Sequence, residues 1–195
     1  MRVLKKYVLT GGPSSGKTSI LLELEQRGYS IIREAAEDWI KLQQSRGIKE
    51  PWLIDDFQER ILDLQIKREL EISYLREKHL VVDRGVLDSL AYYEVVGRDY
   101  FEIPIMNRIS RTKYGTLPHR IEGYDKVFLI ENIGTVESTE VRREDLEAAL
   151  KLEELQYRAY VRAGFSVERI AAWEGTKLLT VTQRTDLIEA KMAGK

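Results

Sequence analysis

The sequence predicts an α/β fold: a parallel β-sheet in three layers, with helices covering both faces. Two observations carry this. Short apolar runs alternate with longer segments of helical periodicity along the chain, the pattern of strand–helix–strand units. The polar residues best suited to chemistry fall just after the short runs, at the carboxyl ends of strands, where ligands bind in such sheets. The length of 195 residues fits one domain spanning 1–195, or a domain with an inserted lid.

The elements follow in order. Residues 3–10 form an apolar run ahead of a glycine pair and read as a buried first strand. Residues 18–27 carry Ile20, Leu21, Leu22 and Leu24 as a helical stripe, closed by Gly28. Residues 29–33 read as the second strand, and 34–46 as a helix that Gly47 stops. Pro51 opens a long helix to about residue 78, with Phe57, Ile61 and Leu64 among its apolar positions. The length of that helix leaves a homodimer open. Residues 79–82 form the third strand, ending at Asp83, and 86–96 and 100–114 read as helices. Tyr92 and Tyr93 are adjacent on the first of these and cannot share a direction, so at least one belongs to the core. Residues 124–130 form the fourth strand, followed by a polar loop over 131–140 that contains Gly134; a small lid is expected over about 131–145. A helix over 143–163 ends at Gly164, a fifth strand covers 165–172, and 182–192 form the last helix.

Composition narrows the partners. Lys plus Arg number 31 and Asp plus Glu 32, for a net charge of -1, which gives no general attraction to nucleic acid. The chain has no cysteine, so a disulfide framework, a thiol nucleophile and a Cys-based zinc site are excluded. That fits a reducing, cytoplasmic setting. Lys5 and Lys6 interrupt the N-terminal apolar run, so no signal peptide is expected. No apolar run approaches the ~20 residues of a transmembrane helix.

Gly11, Gly12, Pro13, Ser14, Ser15, Gly16, Lys17 and Thr18 fit G-x-x-x-x-G-K-[ST]. Glycines let backbone N–H groups turn inward around phosphate oxygens without a Cβ in the way. Lys17 would reach the β- and γ-phosphates, and the Thr18 hydroxyl would sit on Mg²⁺. The helix that follows, with Ser19 in its first turn, adds its dipole and free N–H groups. The expected ligand is a nucleoside triphosphate, ATP or GTP, with Mg²⁺.

The residues after the other strands suggest what is done with it. Asp83 could hold Mg²⁺ or accept a proton from a substrate hydroxyl, with Arg84 beside it to contact substrate; the alternative is a helix cap and a surface arginine. Glu131 ends the fourth strand as a competing carboxylate, without a neighbouring arginine. Glu34 follows the second strand and could orient a hydroxyl or act as its general base, or serve only the helix dipole. Gln58, on the long helix, could read an amide or base edge, though glutamines there usually face solvent; Gln65 is a weaker case. Arg142 and Arg143 follow the polar loop and suit the charge on a transferring phosphoryl group, or simply open a charged helix. A basic stretch of Arg108, Arg111, Lys113, His119 and Arg120 could meet an acidic substrate or lipid headgroup, or form a solvated face.

With these motifs in place, residues 8–18, Arg33-Glu34-Ala35-Ala36 and Asp83-Arg84-Gly85 resemble the AAA-type P-loop domains grouped near nicotinamide riboside kinase. The resemblance implies a P-loop NTPase fold with a five-stranded parallel sheet in the order 2-3-1-4-5. It also implies kinship with nucleoside and nucleotide kinases. Deoxynucleoside kinases carry a Glu after strand 2, a Phe-Gln on a long helix and an acid-Arg pair after strand 3. Glu34, Phe57-Gln58 and Asp83-Arg84 occupy matching places, with Asp-Arg-Gly where those kinases have Glu-Arg-Ser. The implied activity is a small-molecule kinase that moves the γ-phosphoryl group of ATP to a hydroxyl or phosphate acceptor. The alternative is a nucleotide-binding regulator, an ATPase or GTPase associated with acidic lipid. The Asn/Thr-Lys-x-Asp sequence by which switch GTPases specify guanine does not occur in the chain.

Overall fold

The computed structural model describes residues 4–73, 78–95, 97, 123–134 and 145–194. The expected helix over 100–114, the basic stretch from Arg108 to Arg120, and Arg142 and Arg143 lie outside the described residues.

Strand β1 (Lys5–Thr10) runs through the middle of a five-stranded sheet, between β3 (His79–Asp83) and β4 (Lys126–Ile130). Outside β3 lies β2 (Ser30–Ile32), and outside β4 lies β5 (Val167–Ile170). The order is thus 2-3-1-4-5 and every pairing is parallel. In the register, Leu9 faces Asp83 and Thr10 faces Leu129, so the carboxyl ends of the central strands are level.

Alternation along β1 sorts the layers. Tyr7 and Leu9 point to the face covered by α1 (Lys17–Gln26) and α6 (Val181–Met192), packing with Ile20, Leu21, Leu24 and Ile188. Val8 points to the other face, covered by α3 (Phe57–Ser73), α4 (Asp88–Val95) and α5 (Leu146–Arg162), where Leu62, Leu90, Tyr93 and Tyr160 meet it. Helix α2 (Ala35–Ser45) packs beside α3 through Ile40, Phe57 and Ile61. Each fully buried leucine or isoleucine stabilises this arrangement by about 1.5–3 kcal/mol. Tyr93 is buried and Tyr92 is half-buried, as their adjacency requires.

Most boundaries shift by a few residues from the expectation, and three of the differences change the local structure. The segment opened by Pro51 begins as a 3-10 turn (Pro51–Leu53), and Ile54 turns extended before α3 starts at Phe57. The last helix begins one residue earlier, because Thr180 and Gln183 form a capping box. The fifth strand is shorter, and a two-stranded antiparallel ribbon follows it: β6 (Trp173–Glu174) pairs with β7 (Lys177–Leu178). Gly175, with φ at 60°, makes that tight reversal.

Candidate functional site

The loop between β1 and α1 is shaped by what it packs against. A Cβ on Gly11 would overlap the Ile130 carbonyl at the end of β4. A Cβ on Gly12 would lie 2.6 Å from the Ala149 carbonyl on α5. Both glycines are therefore required by close backbone approach. Ser14 and Gly16 have positive φ, 58° and 87°, and Gly16 is the left-handed N-cap of α1. Gly11, Gly12, Pro13 and Ser15 are buried, whereas Thr18 and Ser19 are exposed on the first turn of α1.

Lys17 is buried within the loop. Its Nζ donates to the Gly11 carbonyl at 2.8 Å, the Gly12 carbonyl at 2.7 Å and Ser15 Oγ at 3.1 Å. Burial, then the nearby Arg84, lowers its pKa to about 8, against the pull of Asp83, Glu34 and Asp88.

The ends of β2 and β3 supply the opposite wall. The Arg84 backbone is left-handed, φ 61°, a strained conformation for a non-glycine residue that costs of order 1–3 kcal/mol. The turn is over-determined: the Arg84 N–H donates to the Leu9 carbonyl at 3.0 Å, and the Gly85 N–H donates to Asp88 Oδ2 at 2.9 Å. The Arg84 side chain is thereby sent across the top of the sheet. Its Nε lies 2.9 Å from Glu34 Oε1, close enough for a charge contact although the angles fall short of a hydrogen bond. Its Nη1 donates to the Gly11 carbonyl at 3.3 Å and lies 3.6 Å from Asp88 Oδ1. Burial opposes its charge, but Glu34, with Tyr92, Asp88 and Asp83, outweighs burial and keeps the guanidinium protonated.

Asp83 ends β3 fully buried, and its Oδ1 has no hydrogen-bond partner among the described residues. Burial, then Glu34, raises its pKa to about 7, with Lys17 and Arg84 pulling the other way. Behind this cluster, Asp88 accepts from Thr10 Oγ1 at 2.7 Å and from Tyr160 Oη at 2.7 Å. Strands β1, β2 and β3 thus bring buried Lys17, Asp83 and Arg84 together with half-buried Glu34 in one cluster of two cations and two carboxyl groups.

Gln58 sits half-buried on the first turn of α3, and no hydrogen bond among the described residues ties it to the cluster. Gln65 is buried and donates to Glu69 Oε1 at 3.0 Å, a contact inside the protein. Glu131 is half-buried, 3.9 Å from Arg169, and faces a surface ion pair.

Sequence reading missed two residues that hold the loop from outside. Arg184, on α6, donates to the Ser15 carbonyl at 2.7 Å and to the Glu131 carbonyl at 2.8 Å. Asn132, just after β4, donates to the Pro13 carbonyl at 2.8 Å. Neither belongs to a motif, and the contacts span 169 and 119 residues of sequence, so no local signal could reveal them.

The fold is similar to that of deoxyadenosine kinase from M. mycoides with bound dATP, at 17% identity and TM-score 0.63, over 96% of this chain and 99% of that one. It is also similar to the NadR protein in complex with NAD and AMP-PNP, at 16% identity and TM-score 0.69, over 99% of this chain and 50% of that one. This chain therefore spans about half of the NadR chain. No curated protein matches the sequence. The AAA domain family profile matches residues 6–175, from β1 through the ribbon turn and across the whole cluster. On that match, the chain belongs to the AAA domain family.

Proposed function

We propose that the chain is a small-molecule kinase that moves the γ-phosphoryl group of ATP or GTP to a hydroxyl or phosphate acceptor. The observation that carries this reading is the charged cluster of Lys17, Glu34, Asp83 and Arg84 beside the phosphate loop. Beyond a carboxylate for Mg²⁺, this wall adds Glu34 and Arg84, groups suited to an acceptor. The nucleotides held by the two similar structures, dATP and AMP-PNP, support the nucleotide part of the reading.

The loop amides and Lys17 would cradle the triphosphate, contributing position and charge rather than covalent chemistry. The donor set fits Mg²⁺: Asp83 offers a buried oxygen without a donor, and Thr18 offers a hydroxyl at the exposed first turn of α1. Among the described residues no three His, Cys, Asp or Glu side chains converge on a metal position, so the remaining ligands would be water and phosphate oxygens, as Mg²⁺ prefers. Bound there, Mg²⁺ supplies charge neutralisation on the transferring group. Glu34 or Asp83 accepts the proton of the acceptor hydroxyl. Arg84, fixed by Glu34 and the Gly11 carbonyl, keeps the acceptor side in register with the loop. Arg142 and Arg143 are proposed, from the sequence, to meet the transferred phosphoryl charge from a lid over about 131–145.

The test is a screen of Mg²⁺ with ATP, then GTP, against nucleosides, pyridine ribosides, nucleotides and acidic lipid headgroups for acceptor-stimulated release of ADP or GDP. One compound that raises release well above the basal rate names the acceptor. Binding of nucleotide with no stimulation by any compound favours the regulator reading. In the variant Asp83→Ala, turnover is expected to fall by about 10²-fold or more with most of the nucleotide affinity kept; undiminished turnover would sink the assignment.

A further inference from the structure

A phosphate loop works only if its N–H groups point inward, so what turns each peptide decides the site. A trans peptide is planar, and its carbonyl points opposite to the N–H of the next residue. Fixing one therefore aims the other. The described residues contain no cis peptide, so the rule holds throughout the loop.

Two carbonyls of the loop are held from outside by side chains of distant elements. Arg184 is 3% exposed and takes the Ser15 carbonyl through Nη1. Its Nη2 takes the Glu131 carbonyl at 2.8 Å and the Ile170 carbonyl at 3.4 Å. One guanidinium thus joins the loop to the ends of β4 and β5. Asn132 is 8% exposed and takes the Pro13 carbonyl. Asn132 is itself fixed, because its N–H donates to Glu153 Oε2 at 3.0 Å and its Oδ1 accepts from the Gly134 N–H at 2.8 Å.

We propose that Arg184 and Asn132 are positioning residues of the phosphate loop: by holding the Ser15 and Pro13 carbonyls outward they aim the Gly16 and Ser14 amides at the bound phosphates. Arg184 adds a second effect. A Cβ on Gly16 would lie only 3.4 Å from its Nη1, so a buried positive charge stands beside the N-terminus of α1 and strengthens the anion site there. The position of α6 is therefore part of nucleotide affinity, although Arg184 acts on the nucleotide only through the loop and its charge. The inference rests on the nucleotide-binding reading above.

The test uses the full chain, Mg²⁺ and a fluorescent ATP analogue, with inorganic tripolyphosphate as a competitor that engages the loop alone. Arg184→Met is expected to weaken both ligands about tenfold, the scale of one lost buried partner. Arg184→Lys, which keeps the charge with fewer donors, recovers part of the loss. Ile188→Ala, a core truncation on the same helix, calibrates stability: if its affinity loss matches that of Arg184→Met at equal loss of Tm, Arg184 acts through folding alone and the proposal is overturned. Should Arg184→Met fail to fold, Asn132→Ala reads the same effect at the Pro13 carbonyl, and unchanged affinity there overturns the proposal. Wild-type protein that binds neither ligand removes the nucleotide reading itself, an outcome separate from wild type that binds and variants that bind equally well.

Discussion

Asp83 is far from its state in water: burial and Glu34 raise the pKa of its carboxyl to about 7, against about 3.9 in an unfolded chain. Between those values the unfolded chain has released the proton and the folded chain retains it. Stability contributed by the protonated form is therefore present below about pH 4 and is lost as pH rises through 7. Asp83→Asn keeps the shape and removes the titration. Its stability relative to wild type is expected to climb from pH 4 to pH 7 and to level off above, by at least about 1 kcal/mol in all. Melts of both proteins across that range measure it, and a flat difference would show that Asp83 ionises freely in the fold. Lys17, Glu34, Asp83 and Arg84 were all legible in the sequence because each follows a strand or a glycine-rich motif. Their mutual contacts were not legible, because the left-handed turn that swings Arg84 over Glu34 leaves no mark in residue type.

Two elements hold the site, and each has a weak point. The turn from β3 to α4 leaves no room beside Gly85, where a Cβ would lie 2.6 Å from Tyr160 Oη and 2.7 Å from Tyr124 Oη. Tyr160 holds Asp88, and Tyr124 accepts from the Val86 N–H at 2.9 Å, so neither hydroxyl can retreat without loss. Gly85→Ala is expected to cost about 1–3 kcal/mol and to lower activity through Arg84, both visible in a denaturant midpoint and a turnover assay. Helix α6 depends on its capping box, in which the Thr180 hydroxyl accepts from the Gln183 N–H at 3.2 Å and Gln183 Oε1 accepts from the Thr180 N–H at 3.0 Å. Thr180→Ala should cost about 1 kcal/mol, a drop of roughly 2–4 °C in Tm for a chain of this size. Unchanged melting would mean that packing alone fixes the helix start. The ribbon of β6 and β7 escaped the sequence reading because strands of two residues are too short to show a period.

Across the whole molecule, a buried polar chain runs through the layer of α3, α4 and α5. Lys6 Nζ lies 3.4 Å from Glu69 Oε2, with both side chains almost fully buried. Glu69 Oε1 accepts from Tyr124 Oη at 3.0 Å and from Gln65, and Tyr124 reaches the Val86 N–H in the turn that carries Arg84. Lys6→Met leaves a buried carboxylate without its cation and is expected to cost about 3–5 kcal/mol. Adding Glu69→Gln, which can still accept from Tyr124, should restore much of that loss. A double-mutant cycle read by chemical denaturation decides it, and additive losses would show that the two charges do not depend on each other. The sheet, its order and the loop were readable from alternation, motif and resemblance. This chain of polar contacts was not, since a lysine and a glutamate separated by 63 residues look like surface residues until the fold buries them.

The tie between Arg184 and Ser15 also sets a timetable. Its partners are 169 residues apart in sequence, and a ribosome adds about 5–20 residues each second. The loop is thus made some ten to thirty seconds before the arginine that closes it, by the same rates. Strand β1 and its loop must wait for the far end of the chain, so a prematurely terminated product would carry the whole motif without its outer brace.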